Sequence, residues 1–329
     1  MENFKALVLT KENEQVQSTI QTLTLDELPQ SDVLIKVHYS GINYKDSLAS
    51  IPNGNIVKAY PFVPGIDLAG TVVSSNNPRF KSGDEVIATS YEIGVSHYGG
   101  YSEYARIPAD WIVPLPDGLT LKEAMVIGTA GFTAALSVKK LIDSGLKPKN
   151  GPVLVTGATG GVGSFAVSIL SKIGYEVAAS SGKASSATYL TKLGATTLLT
   201  REDVYNGKVK ALAKGKWAAA IDSVGGETLA SVLSQIQYGG SVAASGLTAG
   251  TAVPTTVFPF ILRGVNLLGI DSVYCPMSLR NETWKLLATS FKPNQLEDFI
   301  QEEISLNDVP NYLPMLLEGQ AQGRILIRL

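Results

Sequence analysis

The sequence predicts an α/β fold in which a doubly wound parallel sheet follows a mainly β region. Three observations support this prediction. Residues 1 to about 120 contain short apolar runs separated by prolines and glycines, a pattern typical of short antiparallel strands. Between residues 153 and 270, short apolar runs alternate with helical patterns, as in a parallel sheet with crossover helices. The first of these runs passes through closely spaced glycines into a helical pattern.

The β region has its clearest strand patterns at residues 33–39, 67–73, 84–88 and 111–115. Prolines and glycines between these runs predict tight connections, so the strands are expected to be mainly antiparallel. A helical pattern then runs from Leu121 to Leu141 and leads into the alternating region.

The alternating region begins with a strand pattern at residues 153–155, followed by a turn that is predicted to bind phosphate. Glycines there let the backbone turn tightly and approach a pyrophosphate, while the start of the next helix offers unpaired N–H groups. Further strand patterns lie at residues 177–179, 197–200, 217–221, 241–244 and 266–270. We therefore expect a dinucleotide at this turn, in contact with Gly157, Thr159, Gly160, Gly161, Val162 and Gly163.

The last part of the chain is predicted to complete both regions. After about residue 262 we expect the last strand of the parallel sheet, a helix over residues 278–290 and a terminal strand over residues 324–329 that returns to the first domain. A chain of 329 residues exceeds one typical domain. We place the divisions at residues 1–122, 123–262 and 263–329.

Composition argues against nucleic acid and a membrane as partners. The net charge is −2 with mixed signs, so no basic surface is expected and nucleic acid is not an expected partner. No apolar run reaches about 18 residues, so no membrane span is expected. The single cysteine, Cys275, cannot form an internal disulfide. It is expected to be a packed thiol in a cytoplasmic protein.

The end of the second strand of the parallel sheet favours NADPH over NADH. An acidic residue at this place binds the ribose 2′-hydroxyl of NAD, but residues 177–200 contain no Asp or Glu. The chain instead has Ser180, Ser181 and Lys183, whose hydroxyls and ammonium group can bond and neutralise a 2′-phosphate. Arg201 is expected to stack on adenine or to reach the same phosphate. The alternative for both cations is a place on the solvated surface.

Several stretches carry a resemblance to a known family. They are residues 40–46 (SGINYKD), 63–72 (VPGIDLAGTV), 128–134 (GTAGFTA), the glycine turn, 222–226 (DSVGG) and 268–273 (LGIDSV), followed by Pro276 and Arg280. On these residues the chain resembles the zinc-independent quinone oxidoreductase branch of the medium-chain dehydrogenase/reductases. Within this branch it is similar to the YhdH/YhfP-type group, also called acryloyl-CoA reductases.

The resemblance implies a GroES-like catalytic domain, completed by the C-terminal strands, and an inserted Rossmann domain that binds NADP. It also implies an active site in the cleft between them and a homodimer formed through the outer edge of the Rossmann sheet, near residues 266–272. The substrate class that it implies is a 2-enoyl-CoA such as acryloyl-CoA. Quinone reduction is an alternative, and an NADPH-binding stress or nucleic-acid-associated protein without turnover is another.

The site is expected to work without zinc. The alcohol dehydrogenase branch places a cysteine and a His-Glu pair where this chain has Asn43 and the pair Ile66-Asp67. With His38, His97 and Cys275 as its only histidines and cysteine, the chain has too few of the ligands that zinc prefers.

Without a metal, conjugate reduction is the expected chemistry. Hydride addition to a β carbon moves charge into an enolate, which hydrogen-bond donors can hold. Asn43 and Tyr44 are the expected donors, Asp46 and Asp67 are expected to shape the site, and Tyr60 is a further candidate for substrate contact or proton donation. Each has a structural alternative, because an asparagine can tie down a turn and a tyrosine can simply pack.

Other candidates lie at strand or helix ends, and the resemblance implies that they border the nicotinamide or its ribose. They are Thr129, Val224, Ser245, Leu247 and Ile270, with Asn43 as a further cofactor contact and Arg324 reaching the cofactor from the final strand. An acyl-CoA substrate also needs cations for its phosphates. Lys45, Lys58 and Arg280 are the candidates.

Overall fold

The computed structural model of the protein describes residues 3–329. Its strands are β1 (Asn3–Glu12), β2 (Gln15–Thr24), β3 (Val33–Gly41), β4 (Asp67–Ser75), β5 (Glu85–Thr89), β6 (Tyr104–Ile107), β7 (Ile112–Pro114), β8 (Val153–Val155), β9 (Val177–Ser180), β10 (Thr197–Leu199), β11 (Trp217–Asp222), β12 (Ile236–Ala244), β13 (Asn266–Gly269), β14 (Ile300–Ser305) and β15 (Arg324–Arg328). Its helices are α1 (Tyr44–Ala49), α2 (Leu121–Asp143), α3 (Gly161–Lys172), α4 (Ala187–Lys192), α5 (Arg201–Val204), α6 (Gly226–Gln235), α7 (Phe258–Arg263), α8 (Met277–Ala288) and α9 (Val309–Leu317).

The chain divides into two compact units. The first comprises the residues up to Thr129 together with Val273–Ala288 and Gln295–Leu329, and the second comprises Ala130–Ser272 and Thr289–Asn294. The divisions placed from the sequence, at 122/123 and 262/263, lie earlier in the chain. Thr129, the last residue of the first segment of this unit, donates its backbone N–H to Asp67 of β4.

The first unit is built on a seven-stranded sheet with the order β14-β15-β3-β4-β5-β7, in which β6 also pairs with β3. All of its pairs are antiparallel except β14 with β15. The predicted return of the terminal strand is confirmed, because β15 pairs with β3 and places Leu326 opposite Gly41. Val33, Ile35 and Leu68 lie in the core of this unit and are fully buried.

The second unit contains a six-stranded sheet with the order β10-β9-β8-β11-β12-β13. Every pair in it is parallel, so the predicted doubly wound sheet is confirmed. The strand order reverses between β8 and β11, and the carboxyl ends of strands at such a reversal form the usual ligand-binding edge of this architecture. The glycine turn follows β8, and residues 222–226 follow β11.

Several elements differ from the sequence prediction. The helical pattern of residues 121–141 is not one continuous helix, because Gly128 has a non-helical backbone (φ 50°, ψ −160°) inside α2. The hairpin β1–β2 pairs from Asn3 with Thr24 to Glu12 with Gln15, although the polar composition of β2 gave no strand signal. Strand β14 and helix α9 were not predicted either, and α9 contains Pro314.

Within the described chain, α2 is the one helix that is long and apolar enough to cross a membrane by length and composition. However, 78% of its apolar window is buried inside the protein, as in a core helix. The break at Gly128 leaves residues 129–143 as continuous helix, fewer than the roughly 20 residues that a span requires.

Candidate functional site

The first unit buries a cluster of polar side chains around Asp67, the first residue of β4. The carboxylate of Asp67 is fully buried. Thr129 donates to it twice, from N–H to Oδ2 at 2.9 Å and from Oγ1 to Oδ1 at 2.5 Å. Asn43 Nδ2 donates to Oδ2 at 2.8 Å, and Arg324 Nη2 lies 3.6 Å from the same oxygen. These partners compensate the buried carboxyl group for its loss of contact with water.

Gly128 makes the contacts of Asp67 possible. Its φ of 50° breaks α2 immediately before Thr129, so that the N–H of Thr129 points at Asp67 rather than at a preceding turn. A Cβ atom at position 128 would lie 2.6 Å from Asp67 Oδ2 and 2.7 Å from Arg324 Nη2. Position 128 therefore requires glycine both for its backbone conformation and for the space that the ion pair occupies.

Asn43 and Asp46 are brought to this cluster by the turn from β3 into α1. The carboxyl of Asp46 accepts from the backbone N–H of Asn43 and from that of Ile66, both at 2.9 Å. It therefore ties residue 43 to the segment that leads into Asp67. Burial first, and then the charge of Asp67, raise the pKa of Asp46 to about 7, against the opposing hydrogen bonds from Asn43, Ile66 and Tyr101.

Ser90 is a member of the cluster that sequence reasoning missed. Its Oγ lies 3.1 Å from Thr129 Oγ1, which donates to Asp67, so the three side chains form a continuous hydrogen-bonded row. Ser90 and Tyr91 have φ values of 66° and 49°, a conformation that residues other than glycine rarely adopt. No residue type in this stretch signals such a turn, so the sequence gives no indication of it.

The remaining candidates of the first unit have different environments. Tyr44 is 37% exposed, whereas Tyr60 is half-buried and packs against the core cluster that contains Phe62. Arg324 was expected to reach the cofactor, but its side chain is 3% exposed and is held by groups of its own unit. Arg280 was a candidate for CoA phosphates, but it is fully buried and donates to carbonyl oxygens of Thr89 and Val273.

The two histidines and the cysteine have structural surroundings. His97 Nε2 lies 2.6 Å from the carbonyl oxygen of Arg106, and His38 Nε2 lies 3.1 Å from Thr71 Oγ1. Cys275 is a free, buried thiol, as predicted. Across residues 3–329, no group of three or more His, Cys, Asp or Glu side chains is arranged to hold a metal ion.

In the second unit, the glycine turn has the tight geometry that a phosphate cradle needs. Gly157 has φ 59°, and a Cβ atom on it would lie 2.6 Å from Ser223 Oγ. A Cβ atom on Gly163 would lie 2.3 Å from the carbonyl oxygen of Gly157. Helix α3 begins at Gly161, with no acidic side chain in its first turn. Its N–H groups thus remain available to a pyrophosphate.

The neighbouring strand ends complete this edge of the sheet. Asp222 is buried at the end of β11, where Thr156 Oγ1 donates to Oδ1 at 2.6 Å and the N–H of Gly225 donates to Oδ2 at 2.7 Å. Burial raises the pKa of Asp222. Among the described residues, the buried Oγ of Ser245 has no hydrogen-bond partner, which fits a ribose hydroxyl. The other predicted contacts lie at the same edge: Val224 after β11, Leu247 after β12 and Ile270 after β13.

The end of β9 brings two cations together. A Cβ atom on Gly182 would lie 2.4 Å from Arg201 Nε, so the guanidinium group lies directly against this glycine. Burial and then the charge of Arg201 lower the pKa of Lys183. Ser181 Oγ accepts from the N–H of Lys183 at 3.0 Å and lies 3.4 Å from Thr159 Oγ1. Ser180, in contrast, is buried, and its hydroxyl donates to the carbonyl oxygen of Thr200.

A doubly wound sheet with a glycine-lined phosphate turn, carried by a chain whose other unit is a mainly antiparallel β domain, defines a two-domain dehydrogenase. Residues 29–117 match the family profile described as "Alcohol dehydrogenase GroES-like domain", and residues 161–289 match the one described as "Zinc-binding dehydrogenase".

Similar proteins narrow this class. YhfP of Bacillus subtilis (strain 168) is 59% identical over 99% of both chains, and its crystal structure with NAD bound superposes with a TM-score of 0.98 over 100% of both chains. The acrylyl-CoA reductase AcuI of Ruegeria pomeroyi is 49% identical over 98% of both chains. The YhdH oxidoreductase of Salmonella enterica, crystallised in complex with NADP, is 46% identical over 99% of both chains with a TM-score of 0.96.

The chain therefore belongs to the medium-chain dehydrogenase/reductases, in the group that contains YhfP and the acrylyl-CoA reductase AcuI. It is an oxidoreductase. The family, the fold and the enzyme class predicted from the sequence are confirmed. The individual site residues stay predictions.

Proposed function

We propose that the protein reduces an activated C=C bond with NADPH, and that its substrate is acryloyl-CoA or a related 2-enoyl-CoA. The observation that carries this proposal is the buried cluster of Asn43, Asp67 and Arg324, which offers a neutral amide donor where the alcohol dehydrogenase branch has metal ligands. Similarity to AcuI over nearly the whole chain supports the substrate class.

Bound NADPH supplies a hydride to the β carbon of the substrate. The negative charge then moves onto the thioester oxygen as an enolate, and an amide N–H of Asn43 is suited to hold that oxygen. Addition of a proton at the α carbon gives the saturated acyl-CoA and completes the reduction. Asp67 alone would oppose a nearby negative charge, but Arg324 lies 3.6 Å from its carboxylate and offsets it.

The choice of NADPH rests on Lys183 and Arg201. Both cations lie beside Gly182, at the strand end where an acidic residue would select NAD, and a 2′-phosphate would relieve their mutual repulsion. Solved relatives hold different nucleotides: NAD in the structure of YhfP and NADP in that of YhdH. The measured ratio of kcat/KM with NADPH to kcat/KM with NADH therefore decides which nucleotide this chain prefers.

Cations for the CoA phosphates are proposed at Lys45 and Lys58. Hydrogen bonds from Ser96 and Tyr274 lower the pKa of Glu92, and Lys45 and Lys58 lower it further. The charges of both lysines therefore act on the same carboxylate. An incoming phosphate can take the place of this carboxylate as their partner.

A kinetic panel tests the proposal. It measures kcat/KM for acryloyl-CoA and for a simple quinone, each with NADPH and NADH. We expect the highest value for acryloyl-CoA with NADPH; a higher value for the quinone favours the quinone oxidoreductase alternative. NADPH binding without reduction of either acceptor favours a non-catalytic role. Lys183→Ala is expected to lower kcat/KM for NADPH by about 10-fold to 100-fold and to change NADH little, with exposed Lys208→Ala as the control.

The assembly is proposed to be a homodimer, formed through the β13 edge of the second unit. Next to this edge strand, α7 and its flanks expose large apolar side chains: Val257 at 61%, Phe258 at 45%, Ile261 at 69%, Leu262 at 55% and Leu267 at 43%. An edge strand with an apolar surface beside it is suited to pairing with a second copy.

We also propose that the enzyme needs no zinc and works in the cytoplasm. The few histidine and cysteine side chains support the first point. A single buried thiol without a possible intramolecular partner supports the second. Activity that survives dialysis against a chelator, and cell fractionation, test these two points.

A further inference from the structure

The hydrogen bonds around Asn43 determine which way its side-chain amide faces. Arg324 Nη1 donates to Oδ1 at 2.9 Å, and Nδ2 donates to Asp67 Oδ2 at 2.8 Å. A flipped amide would place N–H groups against the guanidinium and an oxygen against the carboxylate, so both contacts would become repulsive. The charges of Arg324 and Asp67 therefore leave one orientation for Asn43.

In this orientation one donor remains free. A carboxamide nitrogen carries two hydrogens, and Asp67 accepts one of them. No other described residue accepts the second. Asn43 retains 8% exposure, whereas Asp67 is fully enclosed and Arg324 is 3% exposed. Asn43 is thus the most accessible member of this trio.

Arg324 is itself immobilised by its surroundings. Nε donates to the carbonyl oxygen of Val126 at 3.1 Å, and the two hydrogens of Nη1 go to the carbonyl oxygen of Ile42 at 3.2 Å and to Asn43 Oδ1. A Cβ atom at Gly41 would lie 2.8 Å from Nη2, and one at Gly128 would lie 2.7 Å from it. The planar guanidinium fills a slot that two glycines keep open, and it contacts three segments of the first unit at once. A lysine ammonium cannot reproduce this set of contacts, because it offers a single nitrogen.

We propose that Arg324 is a positioning residue. Together with Asp67, it fixes the side-chain amide of Asn43 so that the second Nδ2–H donates a hydrogen bond to the substrate oxygen that gains negative charge during reduction. This proposal rests on the proposed function, because it assigns the donor for the enolate. It also replaces the expected role of Arg324 in cofactor contact. Arg324 acts only through Asn43 and does not touch the substrate.

A double-mutant cycle separates this role from a purely structural one. Arg324→Lys is expected to lower kcat by about 10-fold to 100-fold and to change the KM for NADPH by less than about threefold. In the Asn43→Ala background, Arg324→Lys is expected to cause no further loss of kcat, because the donor that it orients is absent. Equal losses in the two backgrounds would overturn the proposal.

Arg280→Lys is the matched control for losing a buried arginine in the same unit. Arg280 is also fully buried and also donates to backbone carbonyl oxygens, but it has no contact with Asn43. The fold-loss of kcat caused by Arg280→Lys is therefore expected to be the same in the wild type and in the Asn43→Ala background. If the loss of kcat caused by Arg280→Lys also disappears in the Asn43→Ala background, the Arg324 cycle reports only a general loosening of the first unit. This result would overturn the proposal as well.

A measurement without turnover keeps the proposal separate from the proposed function and from the folding of any Arg324 variant. The two Nδ2 protons of Asn43, assigned by their loss in Asn43→Ala, are observed by NMR in the wild type. One is expected at a downfield position because it is bound to the Asp67 carboxylate, and the other at an ordinary amide position. Two ordinary positions would refute the fixed amide, whatever the acceptor proves to be. Failure to reduce any enoyl-CoA, with the downfield proton present, would refute the function alone.

Discussion

Replacing Asp46 by asparagine is expected to change how the stability of the protein depends on pH. Asp46 is buried to 1% exposure beneath Asn43, and burial and the neighbouring Asp67 raise its pKa from 3.8 to about 7. Asparagine has the shape of the protonated acid and cannot ionise. The comparison of Asp46→Asn with the wild type therefore isolates the free energy of ionising this one carboxyl group.

The sign follows from proton binding. Between about pH 4 and about pH 7, the folded state holds a proton on Asp46 that the unfolded chain has released. The folded state consequently loses stability as the pH rises, by about 1.4 kcal/mol per pH unit, and the loss is complete once the pH exceeds the folded pKa. The whole range corresponds to about 4 kcal/mol, of which about 3 kcal/mol falls between about pH 5 and about pH 8.

Urea denaturation at about pH 5 and about pH 8, at constant ionic strength, measures the effect. The unfolding free energy of Asp46→Asn minus that of the wild type is expected to increase by about 3 kcal/mol from about pH 5 to about pH 8. Tyr101, Asp67 and Arg324 face the same carboxyl, and they are unchanged in the variant. Asp117→Asn, at an exposed position, is the control and is expected to follow the wild type. A constant difference between Asp46→Asn and the wild type would refute the reasoning.

Two further predictions concern the turn at Gly128 and the exposed edge. Gly128→Ala is expected to destabilise the protein by about 3 kcal/mol or more, because it combines left-handed strain with overlap on Asp67 and Arg324. Gly83→Ala is the control, because Gly83 has φ 93° and no atom lies within 4 Å of the added Cβ. It should cost only the backbone strain, about 1 to 2 kcal/mol. Equal losses of stability for the two variants in thermal denaturation would contradict the overlap at position 128. Ile261→Asp is expected to shift the protein from dimer to monomer in size-exclusion chromatography with light scattering. Leu198→Asp, on the opposite edge strand, is expected to leave the dimer intact. A dimer that survives Ile261→Asp would show that the interface lies elsewhere.

The parallel sheet was predictable because its signals are local. Apolar runs of three to six residues alternate with helical patterns, and the turn at Gly157 occurs where a buried strand meets a helix. Each of these features depends on residues that are neighbours in sequence. The missing acidic residue after β9 is equally local, and it is the signal on which the predicted roles of Lys183 and of its neighbour Arg201 depend.

The polar cluster around Asp67 was predictable only in part, because its geometry depends on contacts between residues that are distant in sequence. Asn43 and Arg324 are 281 positions apart, so no pattern indicates that they share a hydrogen bond. The break at Gly128 lies inside a pattern that is otherwise helical, and its purpose is visible only in the hydrogen bond between Thr129 and Asp67. Ser90 has a left-handed backbone conformation and contacts Thr129, which is 39 positions away, so tertiary structure overrides its local preference.

Transfer of isotope from the cofactor to the substrate tests the central claim most directly. NADPH carrying deuterium at the transferred C4 position is incubated with acryloyl-CoA and the enzyme in ordinary water, and the product is examined by mass spectrometry and NMR. Conjugate reduction predicts propanoyl-CoA with deuterium at C3, the former β carbon, and a solvent-derived proton at C2. Deuterium at the thioester carbon, or no label in any acyl product while a quinone is readily reduced, would contradict the account.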